Sequence, residues 1–173
     1  MAQESSFAAV ALPHLDAAYN LARWLTGSAD TAEEVVQDAM LRALTYFPSF
    51  RGGNARAWVL QIVRNTAYAA LTVRRDARAV PLATADEDDG IHDLPDPGDD
   101  PETALLRARD RALIEGMLAR LPVELREALV LRELEELSYR DIAQITELPI
   151  GTVMSRLWRA RRQLAAAARA GVQ

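Results

Sequence analysis

Apolar residues recur at spacings of three and four along most of the chain, and the alternation of β-branched residues that marks strands is missing, so helices are expected and strands are not. Leu12 to Thr26 reads as a first amphipathic helix with Leu15, Tyr19, Ala22 and Leu25 inward, ended by Gly27. A second, capped by Asp30 or Thr31, runs to Phe47 and places Glu33 and Glu34 in its first turn, where the helix dipole favours acids. Val36, Met40 and Leu44 (or Ala43) would form its buried stripe. Glu33, Gln37 and Leu41 share a neighbouring strip, and Glu34 and Asp38 a second exposed line. The run FPSFRGGNARA breaks the pattern, and Trp58 opens a third helix with Trp58, Ile62 and Ala69 suited to a core.

The pattern resumes at Thr103. A helix to Ala119 is followed by Pro122 in the first turn of PVELREALVLREL. Ser138 then caps SYRDIAQI, TELP makes a tight turn, and a long helix starts at Ile150. Two helices joined this way describe a helix-turn-helix, with Ile142, Ala143, Val153 and Leu157 as its small core and Leu164 extending the stripe. Ser155, Arg159 and Arg162 fall on one face of the second helix, flanked by Thr152, Arg156 and Gln163. The chain therefore divides into two small all-α domains, 5–78 and 102–170, joined by residues 79–101.

Charge sharpens this division. The formal net charge is −5, yet LPIGTVMSRLWRARRQL, Leu148 to Leu164, holds four arginines and no acid. The acidity sits in TADEDDGIHDLPDPGDDPET, Thr84 to Thr103, whose nine acids and three prolines suit a solvated linker; the remaining sixteen acids face twenty bases. Gly90 stands at the fifth position counted from Asp86, out of register for a calcium loop, so no metal site is expected. All twenty bases are arginine, and arginine's planar fork of donors fits phosphate oxygens and guanine edges. The basic helix face is thus a candidate DNA contact, and the bland reading of Glu34 and Asp38 is a solvated face.

The excluded classes are informative. There is no cysteine, hence no disulfide framework and no thiolate chemistry. His14 and His92 are far apart and no glycine loop could cradle phosphate, so an enzyme is not expected, nor any cofactor. No leader and no membrane insertion are expected, and a cytoplasmic location is the default.

The segment LPVELREALVLRELEELSYRDIAQITELPIGTVMSRLWRARRQL, Leu121 to Leu164, resembles the domain of extracytoplasmic-function sigma factors that binds the −35 promoter element. AEEVVQDAMLRA resembles their helix that docks on the polymerase clamp, and AWVLQIVRN the segment after their −10 reading loop. The resemblance implies a non-catalytic protein that joins core RNA polymerase through its clamp helices and flap, and recognises −10 and −35 promoter DNA. It implies polymerase contacts at Glu33, Glu34, Gln37 and Asp38; −10 contacts at Asn54 and Arg56 of a base-capturing loop and at Arg64 and Asn65; and −35 contacts at Thr152, Ser155, Arg156, Arg159 and Arg162. The acidic linker would thread the polymerase's basic RNA path, and an anti-sigma factor would restrain the protein. A dimeric helix-turn-helix regulator acting outside polymerase is the alternative; it accounts for 121–170 alone. Four departures stand out: Met154 where the family often has a base, Glu147 where the turn commonly has Gly, Ala69 and Thr72 in place of an acid and a base, and Met40 and Leu44 in place of aromatics.

Overall fold

The computed structural model describes residues 6–78, 98 and 100–171, and every regular element among them is helical. The acidic run therefore lies mostly outside the described residues. The helices are α1 (Phe7–Ala11), α2 (Leu15–Thr26), α3 (Ala29–Tyr46), α4 (Ala55–Arg78), α5 (Pro101–Ala119), α6 (Val123–Leu129), α7 (Tyr139–Thr146) and α8 (Ile150–Ala170), with short 3-10 turns at Leu12–His14 and Phe47–Ser49.

Helices α2, α3 and α4 pack as a three-helix bundle; Ala22, Leu25 and Ala43 are buried as spacing implies, while the rest of each buried row departs from the expected stripe. In α2 the inward residues are Ala18, Leu21, Ala22 and Leu25, whereas Tyr19 is exposed. In α3 they are Ala32, Val35, Ala39 and Ala43; Val36 and Met40 are half-buried and Leu44 is 53% exposed. In α4 they are Val59, Leu60, Val63 and Ala67, with Trp58 and Ile62 at the border and Ala69 in solvent. In α3 the reason is alanine: small side chains let helices approach closely, so its seam follows Ala32, Val35, Ala39 and Ala43 and is filled by Leu21, Leu25 and Leu60 from α2 and α4, while Leu44 is left outside.

The caps move boundaries too. Ser28, not Asp30 or Thr31, caps α3 by accepting from the Thr31 N–H at 3.4 Å, so Asp30 alone holds the first turn and Glu33 and Glu34 lie beyond it. Asn54 accepts from the Ala57 N–H at 3.0 Å and starts α4 three residues before Trp58. Asp100 caps α5 through the Thr103 N–H at 2.9 Å, which places that helix start inside the acidic run. Gly27 ends α2 at φ +71°, as its sequence position implies.

In the C-terminal half, α6 and α8 sandwich a core of Leu125, Leu129, Ile142, Ile145, Val153, Leu157 and Ala160. Ser138 caps α7 at 3.0 Å. Glu147 ends α7 in the left-handed region, φ 57°, ψ 38°, so the turn keeps its geometry without glycine and carries the strain of a Cβ there. After α6 the chain widens into a π-type turn, Val130–Leu134, closed by Glu135 N–H to Val130 O at 3.0 Å. Sequence periodicity gives no hint of it, and it aims Glu135 at the other half of the molecule. The two halves share one continuous core and pack chiefly through α4 against α7 and α2 against α6.

Candidate nucleic-acid interface

The exposed face of α8 is built by helical spacing. Val153, Leu157 and Ala160 are buried, which turns Ser155, Arg159 and Arg162 to solvent on the opposite side. Trp158, 60% exposed, lies among them with the Arg162 guanidinium 5.1 Å from its ring centre. Met154 is exposed at one margin, where Arg161 pairs with Glu133. Thr152 and Arg156 form the other margin and are half-buried. Pro149 precedes the helix without a side-chain cap, so the positive end of α8 is open on this side.

The loop before α4 has Gly52 and Gly53 at φ +86° and +93°, conformations costly for other residues. It is anchored by aromatics: Phe50 lies 4.8 Å from Trp58, and Phe47 lies 6.3 Å from Phe50. Arg51 is exposed, as is Asn65 farther along α4. The remaining −10 candidates are occupied. Asn54 caps α4 through its oxygen and donates its amide to Asp141 of α7 at 2.9 Å. Arg56 donates to Glu135, whose other oxygen accepts from Asn20 at 2.6 Å. Arg64 donates to Glu127 at 2.7 Å and also stands over the Tyr68 ring at 4.3 Å.

Glu127 is fully buried and is the acid that organises this contact. Its second oxygen accepts from Tyr68 at 3.0 Å and lies 3.9 Å from Arg156, an ion pair too long for a hydrogen bond. Burial works against the charge on Arg64, but the hydrogen bond and charge of Glu127, with Tyr68, outweigh it and raise the pKa. Burial, then the charge of Glu127, pushes the Tyr68 hydroxyl above the usual tyrosine range. Sequence reading missed Glu127, although its spacing to Val130 and Leu131 puts it on the apolar stripe of its own helix, where an acid needs a partner. No such signal exists for Glu135 and Asp141, because the turns that aim them are not written in periodicity.

On α3, Glu33, Glu34, Gln37 and Asp38 are all exposed, beside Leu41 at 65% exposure. Asp38 pairs loosely with Arg42 at 3.5 Å. A groove of about 520 Å³ runs between α3 and α4, lined in part by Glu34, Asp38, Leu41 and Val73. Charged and apolar groups thus alternate on a surface that the described residues leave open.

Two family matches decide what carries these surfaces: residues 11–77 match Sigma-70 region 2, and residues 111–164 match Sigma-70, region 4. The chain belongs to the extracytoplasmic-function sigma factors. It is 39% identical over 140 residues to the RNA polymerase sigma-H factor of Pseudomonas aeruginosa, covering 79% of this chain and 72% of that one. It is 40% identical over 136 residues to the ECF RNA polymerase sigma-E factor of Haemophilus influenzae, covering 76% and 71%. Among solved structures it resembles the sigma factor RpoE in complex with the anti-sigma factor NepR from Bartonella quintana, with TM-score 0.70, 29% identity, and 91% and 93% of the two chains covered. CnrH in complex with the cytosolic domain of CnrY shares the fold at TM-score 0.66 and 23% identity. As a sigma factor the chain binds core RNA polymerase and directs promoter-specific initiation through −10 and −35 elements. The dimeric-regulator alternative finds no support, because it leaves region 2 without a role.

Proposed function

We propose that region 4 reads the −35 duplex through α8, with Arg159 and Arg162 at its centre, Ser155 one turn before Arg159, and Thr152 and Arg156 at the margin. The observation that carries this is the exposed, acid-free face of α8 within the region 4 match. Arginine forks suit guanine edges and phosphates, and the open start of the helix suits a phosphate. Met154 offers only apolar contact, which fits a thymine methyl. In region 2, the loop held by Phe50 and Trp58 would take an unstacked −10 base, with Asn54 and Arg56 contacting it and Arg64 and Asn65 supporting the strand. Glu33, Glu34, Gln37 and Asp38 would dock on the polymerase clamp helices, with Leu41 adding apolar contact.

The protein has no catalysis of its own in this reading; polymerase supplies the chemistry, and the protein works where that enzyme works, in the cytoplasm. No described helix is long and apolar enough to cross a membrane. The resemblance to a sigma factor solved with its anti-sigma factor supports restraint of this chain by such a protein. Replacing Arg159 by Ala should weaken −35 binding by about 1–3 kcal/mol, measured on a panel of single-base promoter variants. A loss concentrated at one base pair identifies a base contact, a uniform loss identifies a phosphate contact, and no loss removes Arg159 from the interface.

A further inference from the structure

The arginines of α8 are not alike. Arg159 and Arg162 face solvent and pair with no carboxylate among the described residues. Arg161, one turn past the buried Leu157, lies at the edge of the stripe that anchors the helix, and its guanidinium donates to Glu133 at 2.5 Å. That hydrogen bond is the main reason the Arg161 pKa is raised, with Tyr139 adding to it. At the opposite edge Arg156 is 3.9 Å from Glu127, and its Nη1 has no hydrogen-bond partner. One edge of α8 is therefore tied and the other is not.

The point to which Arg161 is tied is itself fixed. Glu133 belongs to the π-type turn, which is closed by Glu135 N–H to Val130 O at 3.0 Å and by Leu137 N–H to Leu131 O at 3.1 Å. The neighbouring Arg132 donates to Leu137 O at 2.8 Å and stands 4.6 Å from the ring centre of Tyr139, the first residue of α7. Turns of this type are frequent at functional sites. Ion pairs in solvent contribute little to stability, and the Arg161 and Glu133 side chains are 50% and 52% exposed. Stability alone does not account for so well anchored a pair.

We infer that Glu133 and Arg161 are positioning residues for −35 recognition: the pair sets the roll of α8 about its own axis and so aims Met154, Ser155 and Arg159 at the base edges. The inference rests on the reading of the −35 duplex by α8. Val153, Leu157 and Ala160 hold the helix along one narrow stripe, and apolar burial is non-directional, so the stripe by itself fixes roll weakly. A roll of about 20° carries a group about 5–6 Å from the helix axis through about 2 Å. A hydrogen bond to a base edge does not survive that displacement. Met154 shares the tied edge, two turns before Arg161, so its apolar contact moves with the same roll.

The test uses the full chain with core polymerase on one promoter fragment of the source genome and on its single-base −35 variants. Glu133→Gln should flatten the transcriptional preference at one or two −35 base pairs by about fivefold or more. Binding to core polymerase should stay as in the parent, and Tm should shift by no more than about 2 °C. Exchanging the charges, Glu133→Arg with Arg161→Glu, should restore the preference to within about twofold of the parent. An unchanged preference in Glu133→Gln would overturn the inference. So would a charge exchange that restores nothing, which marks Arg161 as a direct DNA contact, or a lower Tm with transcription reduced on every variant alike, which marks the pair as structural only. A parent chain without any preference among the −35 variants would instead defeat the reading of that element by α8, and the positioning role with it.

Discussion

Replacing Arg64 by Met should cost about 3–5 kcal/mol, because it strands the Glu127 carboxylate, 0% exposed, without its hydrogen-bonded cation. Methionine keeps most of the stem's packing, so the loss reports charge more than volume. Tyr68 still donates to Glu127 at 3.0 Å, but a neutral donor does not offset a buried charge, and Arg156 at 3.9 Å is too far for a hydrogen bond. Adding Glu127→Gln should return most of the loss, which marks it as a pairwise term rather than general damage. The chain has a cheaper escape than unfolding: separating its halves hydrates Glu127. Hydrogen exchange should therefore show faster opening along α4 and α6 while the α2–α3 contact keeps its protection. Loss of protection throughout the bundle would mean that Arg64 is a structural residue of region 2 alone.

Leu157→Ala is expected to have a similar magnitude through a different cause. Leu157 is 1% exposed, on the face of α8 that also carries Val153 and Ala160, and truncating it removes about 2–5 kcal/mol through lost burial and the cavity left behind. A domain whose whole stability lies in the usual 5–15 kcal/mol range loses a large share. Thermal denaturation should show an earlier transition and −35 binding should fail at temperatures the parent tolerates, while binding to core polymerase persists. Trp158→Ala, one residue along, is the control: its side chain is in solvent and stability should change by about 0.5 kcal/mol or less. If both substitutions cost the same, the register assigned to α8 is wrong.

That register was legible from sequence because α8 is strongly two-faced: Val153 and Leu157 inward, Ser155, Arg159 and Arg162 outward, each as spacing implies. The α2, α3 and α4 rows were less legible. Alanine-rich helices offer several stripes of similar apolarity, and in α3 close packing chose the one richest in Ala and Val, exposing Leu44. The starts of α3, α4 and α5 moved because Ser28, Asn54 and Asp100 cap them, each two to four residues upstream of the start expected from spacing.

The site shows the same division. Residue types and spacing pointed to the polar faces, and the family matches of residues 11–77 and 111–164 support their assignment to regions 2 and 4. What spacing cannot supply is long-range pairing. Glu127 meets Arg64 across 63 residues, Arg56 meets Glu135 across 79, and Asn54 meets Asp141 across 87. Each pair depends on how two halves dock, and for Glu135 on a π-type turn that no periodicity announces.

The central claim is that this chain turns core RNA polymerase into a promoter-specific enzyme. Run-off transcription with purified core polymerase and fragments of the source genome tests it most directly. The account requires promoter-dependent transcripts that appear only when the protein is added, start at fixed positions downstream of paired −35 and −10 elements, and weaken with Arg159→Ala. The absence of a promoter-dependent transcript from any fragment, with a protein that is folded and free of inhibitor, would contradict it.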